Sequence, residues 1–400
     1  MYKSVFLIAI LTNLSVTIMI YKKINFDSKL DCTSNAENVS VPFYFGTEKL
    51  VSRNWVLDGK RNHLAFGNVC VGSDDIFYAV FRGGYQHGVA LNPGNLNYNL
   101  GGALYYSVSK DEGKTWSEPI CFLEPDESKD LRDPSLMYDS LMDCYFLTYT
   151  EVSNDQSSYK IHLVKMSQDK GLCVFNDYKE VDLGINDMSA NSACYHQVVR
   201  VGSNLYLPFY GKKEGGGELY YSGLLQGNAS GVEWEVLYTW NEDEPDNSNE
   251  CTFFTTFNDN GFLRYNMIFR GGNAQSSYPY DLDRAHYSYS DDGGLTWSDK
   301  ICLGFDCAGG PRVFDINGIK VLLCRDQSVG ERGKGISVGV AAFSDNGERW
   351  VRKMVIADDG PGYASLVCTE HGTGKVFYFK EYGNYSGLYC REITGIPDIK

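Results

Sequence analysis

One turn motif, written twice in full, limits what this chain can fold into. Ser109-x-Asp111-x-Gly113-x-Thr115-Trp116 returns as Ser290-x-Asp292-x-Gly294-x-Thr296-Trp297, and a degenerate copy follows with Ser344, Asn346, Gly347 and Trp350. Each copy follows an alternating strand-like run, such as ALYYSVS or AHYSYS, and leads into another. In such a hairpin turn the Asp or Ser side chain caps backbone N–H groups, glycine takes a positive φ, and tryptophan packs beneath. These residues shape turns and do no chemistry. The copies are separated by about 180 and then about 50 residues, a scale that points to a β-propeller. Roughly 365 residues beyond an N-terminal apolar segment give six four-stranded antiparallel blades of about 60 residues each. The expected fold is therefore an all-β six-bladed propeller over residues 51–400.

Composition agrees with many short strands joined by tight turns. Tyrosine is abundant at 29 residues, glycine numbers 42, and proline only 11. With 43% hydrophobic residues the 400-residue chain can bury a large core. The net charge of −15 opposes encounter with nucleic acid, whose phosphates carry the same sign.

The first residues carry a different signal. Lys3 precedes an apolar run over residues 4–20, which ends at Lys22 and Lys23. This pattern predicts a signal-anchor helix over residues 1–23, with a cleaved signal peptide as the alternative, then a linker or stalk over 24–50. Either places the rest of the chain in the secretory route, as a single-pass membrane protein or an extracellular one. All twelve cysteines, from Cys32 to Cys390, lie beyond the apolar run without paired CxxC or Cys/His zinc spacing. Disulfides are expected, and no metal or cofactor. Asn38, Asn228 and Asn384 begin glycosylation sequons.

The turn motif resembles the Asp-box, or bacterial neuraminidase repeat, of the sialidase superfamily. Further segments carry the resemblance: RNHLAFGNVCVGSDDIFYAVFRGG at residues 61–84, DLRDPSLMYD at 130–139, and NECTFFTTFNDNGFLRYNMIFRGG at 249–272. GGPRVFDINGIKVLLCRD at 309–326 and GPGYASLVCTEHGTGKVFYFKEYG at 360–383 complete it. What the resemblance implies is an exo-glycosidase acting on sialic acid at the ends of glycoproteins or glycolipids. The family's nucleophile is a tyrosine, an exception to the two-carboxylate scheme. Three arginines grip the substrate carboxylate with paired N–H forks.

Carried over by position, the nucleophile is Tyr363 and its activating carboxylate is Glu250, followed by Arg270 on the next strand. The opening arginine is Arg61, with Arg82 as rival. The remaining arginine is Arg325, with Arg332 as rival, and Glu381 matches the glutamate that orients the first arginine. One departure concerns the acid/base residue, normally an aspartate on the loop after the second strand of the first blade. Here that loop, residues 83–102, contains neither Asp nor Glu, and His87 is its one group titrating near neutrality. Asp133 is the alternative. This gap keeps two other functions open: a glycosidase for a different terminal acidic or deoxy sugar, and a catalytically silent propeller that binds glycans. No GxSxG, P-loop, HExxH or EF-hand pattern supplies a competing chemistry.

Overall fold

The structure is a computed structural model. It describes residues 44–53, 55–57, 61–85, 101–126, 129–153, 158–169, 172–185, 197–212, 220–240, 248–270, 284–307, 309–316, 319–326, 337–343, 350–357, 361–369, 374–380 and 386–394. The apolar run of residues 4–20, His87, Arg332, Glu381, Cys32, Cys194, Asn38 and Asn384 lie outside them. Among the described residues, no helix is long and apolar enough to cross a membrane.

Two short strands, β1 (Tyr44–Phe45) and β2 (Lys49–Leu50), precede the first blade. That blade is β3 (His63–Val71), β4 (Phe77–Gly84), β5 (Ala103–Ser109) and β6 (Ile120–Leu123). The second comprises β7 (Lys129–Asp139), β8 (Cys144–Ser153), β9 (Tyr159–Asp169) and β10 (Leu172–Val181). The third is β11 (Val199–Val201), β12 (Asn204–Gly211), β13 (Tyr221–Gly227) and β14 (Trp234–Trp240). The fourth is β15 (Asn249–Phe257), β16 (Leu263–Arg270), β17 (Arg284–Ser290) and β18 (Ile301–Asp306). The fifth is β19 (Gly309–Ile316), β20 (Ile319–Asp326), β21 (Ser337–Phe343) and β22 (Trp350–Val355). In all five, sequential strands pair antiparallel. The last sheet is built differently: β23 (Pro361–Cys368), β24 (Gly374–Lys380) and β25 (Gly387–Thr394) are joined by β1 and β2, both on β25. The four-stranded antiparallel blades of a propeller are thus present, five of them in that form.

Burial explains the arrangement. Each blade is apolar on both faces, and six hydrophobic clusters each draw on two successive sheets. Phe146 and Leu163 of the second blade meet Leu205 and Leu207 of the third. Phe77 and Phe81 of the first meet Phe377 and Phe379 of the last sheet. A fully buried side chain of this size contributes about 1.5–3 kcal/mol.

The repeated turns lie between the third and fourth strands of their blades. Ser109 Oγ donates to Asp111 Oδ1 at 2.8 Å and accepts from the Gly113 N–H at 2.7 Å. Asp111 accepts from the Thr115 N–H at 2.8 Å, and Trp116 Nε1 donates to the Gly113 carbonyl at 3.2 Å. The second copy repeats these bonds from Ser290 to Trp297. Gly113 and Gly294 adopt φ of 77° and 94°, as the turn requires.

The third blade carries a related turn that the consensus does not reveal. Between β13 and β14, Asn228 Oδ1 accepts from the Val232 N–H, and Trp234 Nε1 donates to the Gly231 carbonyl at 3.0 Å. Asn228, one residue earlier than the aspartate of the repeat, accepts the same kind of i+4 N–H bond, and its Nδ2 donates to Glu233 at 2.8 Å.

The expectation of disulfides is corrected among the described residues, where no cysteine is joined to another. Seven of these ten cysteines are buried. They sit in strands or blade interfaces, where a thiol packs as a small apolar group.

Candidate active site

Five of the inner strands share one irregularity. In β3, β7, β15, β19 and β23 a single extra residue interrupts the register: between Ala65 and Asn68, Arg132 and Ser135, Asn249 and Cys251, Gly309 and Arg312, and Pro361 and Ala364. Such a bulge bends the strand and re-aims a side chain. The residues carried there include Phe66, Asp133, Glu250 and Tyr363. Phe66, Asp133 and Glu250 hold φ of 50°, 52° and 30°, a region costly for non-glycine residues, roughly 1–3 kcal/mol each. Opposite the residue that enters each bulge, the second strand places Arg82, Thr150, Arg270, Arg325 and Lys380. One end of the blades therefore carries a layer of acids, aromatics and cations.

Within that layer Glu250 joins three sheets. Its Oε1 accepts from the Tyr363 hydroxyl at 2.8 Å and pairs with Arg270 Nη1 at 2.7 Å. Its Oε2 accepts from the Gly310 N–H at 2.5 Å. Burial alone would disfavour the charge on Arg270, but Glu250 and Tyr363 outweigh it and raise its pKa. Tyr210, near the end of β12, is half-buried near Glu250 and Asp133, and both desolvation and those carboxylates push its pKa well up. It stays a protonated phenol at neutral pH.

A second charged group lies around Asp130, which is 0% exposed. Arg82 Nε and Nη2 donate to its Oδ1 at 3.0 and 2.8 Å, the Gly102 N–H donates to the same oxygen, and Arg132 Nε donates to Oδ2. Burial would raise the Asp130 pKa, yet the two arginines hold it below its ordinary value. Asp133 follows Arg132 in the chain, and its charge acts on both Arg132 and Tyr159.

The structure thus brings Tyr363, Glu250 and Arg270 together, and puts Asp133, Arg82 and Arg325 in the same layer. Arg61 is set apart. It precedes β3 and donates to the Gly101 carbonyl at 3.0 Å and to Glu124 at 2.6 Å, whereas its rival Arg82 stands at the bulge and is held by Asp130. Of the two rivals for the remaining arginine, Arg325 stands opposite Gly309 at the bulge of the fifth blade. Asp130, Arg132, Tyr210 and Phe66 escaped the sequence reading. So did Arg312, a buried residue of β19 whose guanidinium reaches Ser365 and Ser135 hydroxyls at 3.3 and 3.5 Å. The repeated phrase Phe-Arg-Gly-Gly at residues 81–84 and 269–272 was the available signal for the layer of cations. No group of three or more potential metal ligands occurs among the described residues.

No protein-family model matches the sequence. No curated protein matches it either. Solved structures do. A protein of unknown function from Dyadobacter fermentans superimposes with a TM-score of 0.68 at 14% identity, covering 88% of this chain and 99% of that one. A Hadza microbial sialidase gives a TM-score of 0.62 at 12% identity, covering 84% of this chain and 66% of its own. Trypanosoma rangeli sialidase gives 0.57 at 14% identity over 83% of this chain. The fold is that of the sialidase β-propellers. The chain spans about half the length of the trypanosomal enzyme, at 55%.

Proposed function

We propose that the protein is a retaining exo-glycosidase that removes a terminal acidic sugar, sialic acid first among the candidates, with Tyr363 as nucleophile. The observation that carries this reading is the 2.8 Å hydrogen bond from the Tyr363 hydroxyl to Glu250. Free tyrosine, with a pKa near 10, is a poor nucleophile at neutral pH unless a base takes its proton as it attacks. Glu250 is that base. The phenol oxygen bonds to the anomeric carbon, the glycosidic bond breaks, and Asp133 gives its proton to the leaving oxygen. Water then attacks the same carbon, Asp133 takes a proton from it, and Glu250 returns one to the departing tyrosine oxygen. Arg270 and Arg325 face the substrate carboxylate. The last sheet, which joins the two ends of the described chain, is read as the sixth blade that closes the ring.

The neighbouring structures include Trypanosoma rangeli sialidase in complex with sialic acid, which supports that sugar as the first substrate to try. One observation favours a second reading, a terminal deoxy sugar: Asp130 already neutralises part of the charge of Arg82 and Arg132. Hydrolysis of a fluorogenic sialoside by residues 30–400 tests the proposal. Wild type should turn over, and Tyr363→Phe should lose activity by orders of magnitude while still folding. A wild type that binds the sialoside without cleaving it would make the protein a lectin.

A further inference from the structure

Three inner-strand bulges place a non-glycine residue at positive φ. At two of them, Asp133 and Glu250, the residue is an acid of the proposed chemistry; at the third it is Phe66. A bulky aromatic in that backbone region is uncommon, and the surrounding structure must hold it there. The following residue shows how tight the bend is. A Cβ on Gly67 would lie 2.3 Å from the Val80 carbonyl oxygen and 2.7 Å from the Phe379 ring.

The bulge turns the Phe66 ring toward the last sheet. Its centroid lies 5.9 Å from that of Tyr363, with the planes tilted by 40°. The guanidinium of Arg82 lies 5.8 Å from the same ring, within cation–π range. Phe66 is only 5% exposed, so it offers little surface to a ligand. What it touches are two groups of the site.

We infer that Phe66 is a positioning residue: its ring holds the Tyr363 phenol in line with Glu250 and separates that phenol from Arg82. This rests on the reading of Tyr363 as the nucleophile. Aromatic contacts at this separation have a preferred geometry, so losing the ring frees the phenol to swing. Misplacement of a reacting atom by about 1 Å can cost a hundredfold in rate.

The test is covalent labelling by a 2,3-difluoro sialic acid, followed by intact mass and peptide mapping. Wild type should be labelled on Tyr363. Phe66→Leu should lower the maximal labelling rate about tenfold or more with little change in the half-saturating concentration, and Phe66→Tyr should restore most of it. Phe66→Met, which keeps bulk without a ring, replaces the leucine variant if that does not fold. Phe77→Leu is the control: Phe77 is 0% exposed at the opposite end of β4, so its loss should lower the melting temperature and leave labelling unchanged. Wild-type labelling of the leucine or methionine variant, or an equal loss in the Phe77 control, overturns the inference. An unlabelled Tyr363 in wild type overturns the reading beneath it instead.

Discussion

Glu250 and Asp292 are carboxylates that each accept several hydrogen bonds, yet they are held in opposite ways. Asp292 takes its bonds from Ser290 and Thr296, all within one turn and largely in water. Glu250 is buried at a positive φ and takes its bonds from Tyr363, Gly310 and Arg270, on three different sheets. The turn is complete as soon as its hairpin forms. The site exists only when distant blades meet, which leaves a strained acid beside a cation and a phenol.

The largest effect should come from breaking the shared one. Glu250→Gln keeps the shape and removes the proposed base, so turnover of a sialoside should fall by orders of magnitude. Combined with Tyr363→Phe it should be little worse than either alone, because residues acting as a unit do not add. Additive losses in kcat would show that the two act separately.

Next comes Asp130, the buried counterpart on the other side of the layer. Asp130→Asn removes the carboxylate that Arg82 and Arg132 share, and breaking a buried pair in this way costs about 3–5 kcal/mol. Denaturant unfolding should show that loss, and a change below 1 kcal/mol would mean that water or another group replaces the carboxylate.

The turns should give smaller effects. Asp292→Ala should lower stability by about 1 kcal/mol, the usual worth of a capping side chain, with turnover per folded molecule unchanged. A marked fall in kcat of well-folded protein would contradict a purely structural turn.

The smallest effect is a pH dependence. Hydrogen bonds from the Thr296 side chain and backbone, then Ser290, lower the Asp292 pKa from 3.8 to about 2. A depressed folded-state pKa contributes stability above the unfolded value, lost as pH falls through the folded one. Asp292→Asn should therefore differ most from wild type above pH 4 and approach it toward pH 2. A stability gap that stays constant across this window would mean that Asp292 titrates alike in both states.

The sequence alone determined what depends on neighbours in the chain. Ser109, Asp111, Gly113 and Trp116 lie within eight residues, so the turn and the hairpins around it could be read directly. The related turn at Asn228 is not legible because Ala229 stands at the consensus aspartate position and the accepting side chain is one residue earlier, leaving the Gly231–Trp234 spacing as the remaining sign. Resemblance supplied the Tyr363–Glu250 pair, whose members lie 113 residues apart. The inner-strand bulges were not legible, because a bulge is a mismatch of register between two strands and has no sequence of its own. The same holds for the different surroundings of Arg61 and Arg82. Both precede or end a strand of the first blade, and only the packing against β7 sets Asp130 beside one and not the other. Local hydrogen bonds need only a short stretch of chain. Where a guanidinium finds its carboxylate, and which residue a bulge turns inward, depends on how separate sheets come to share one buried surface.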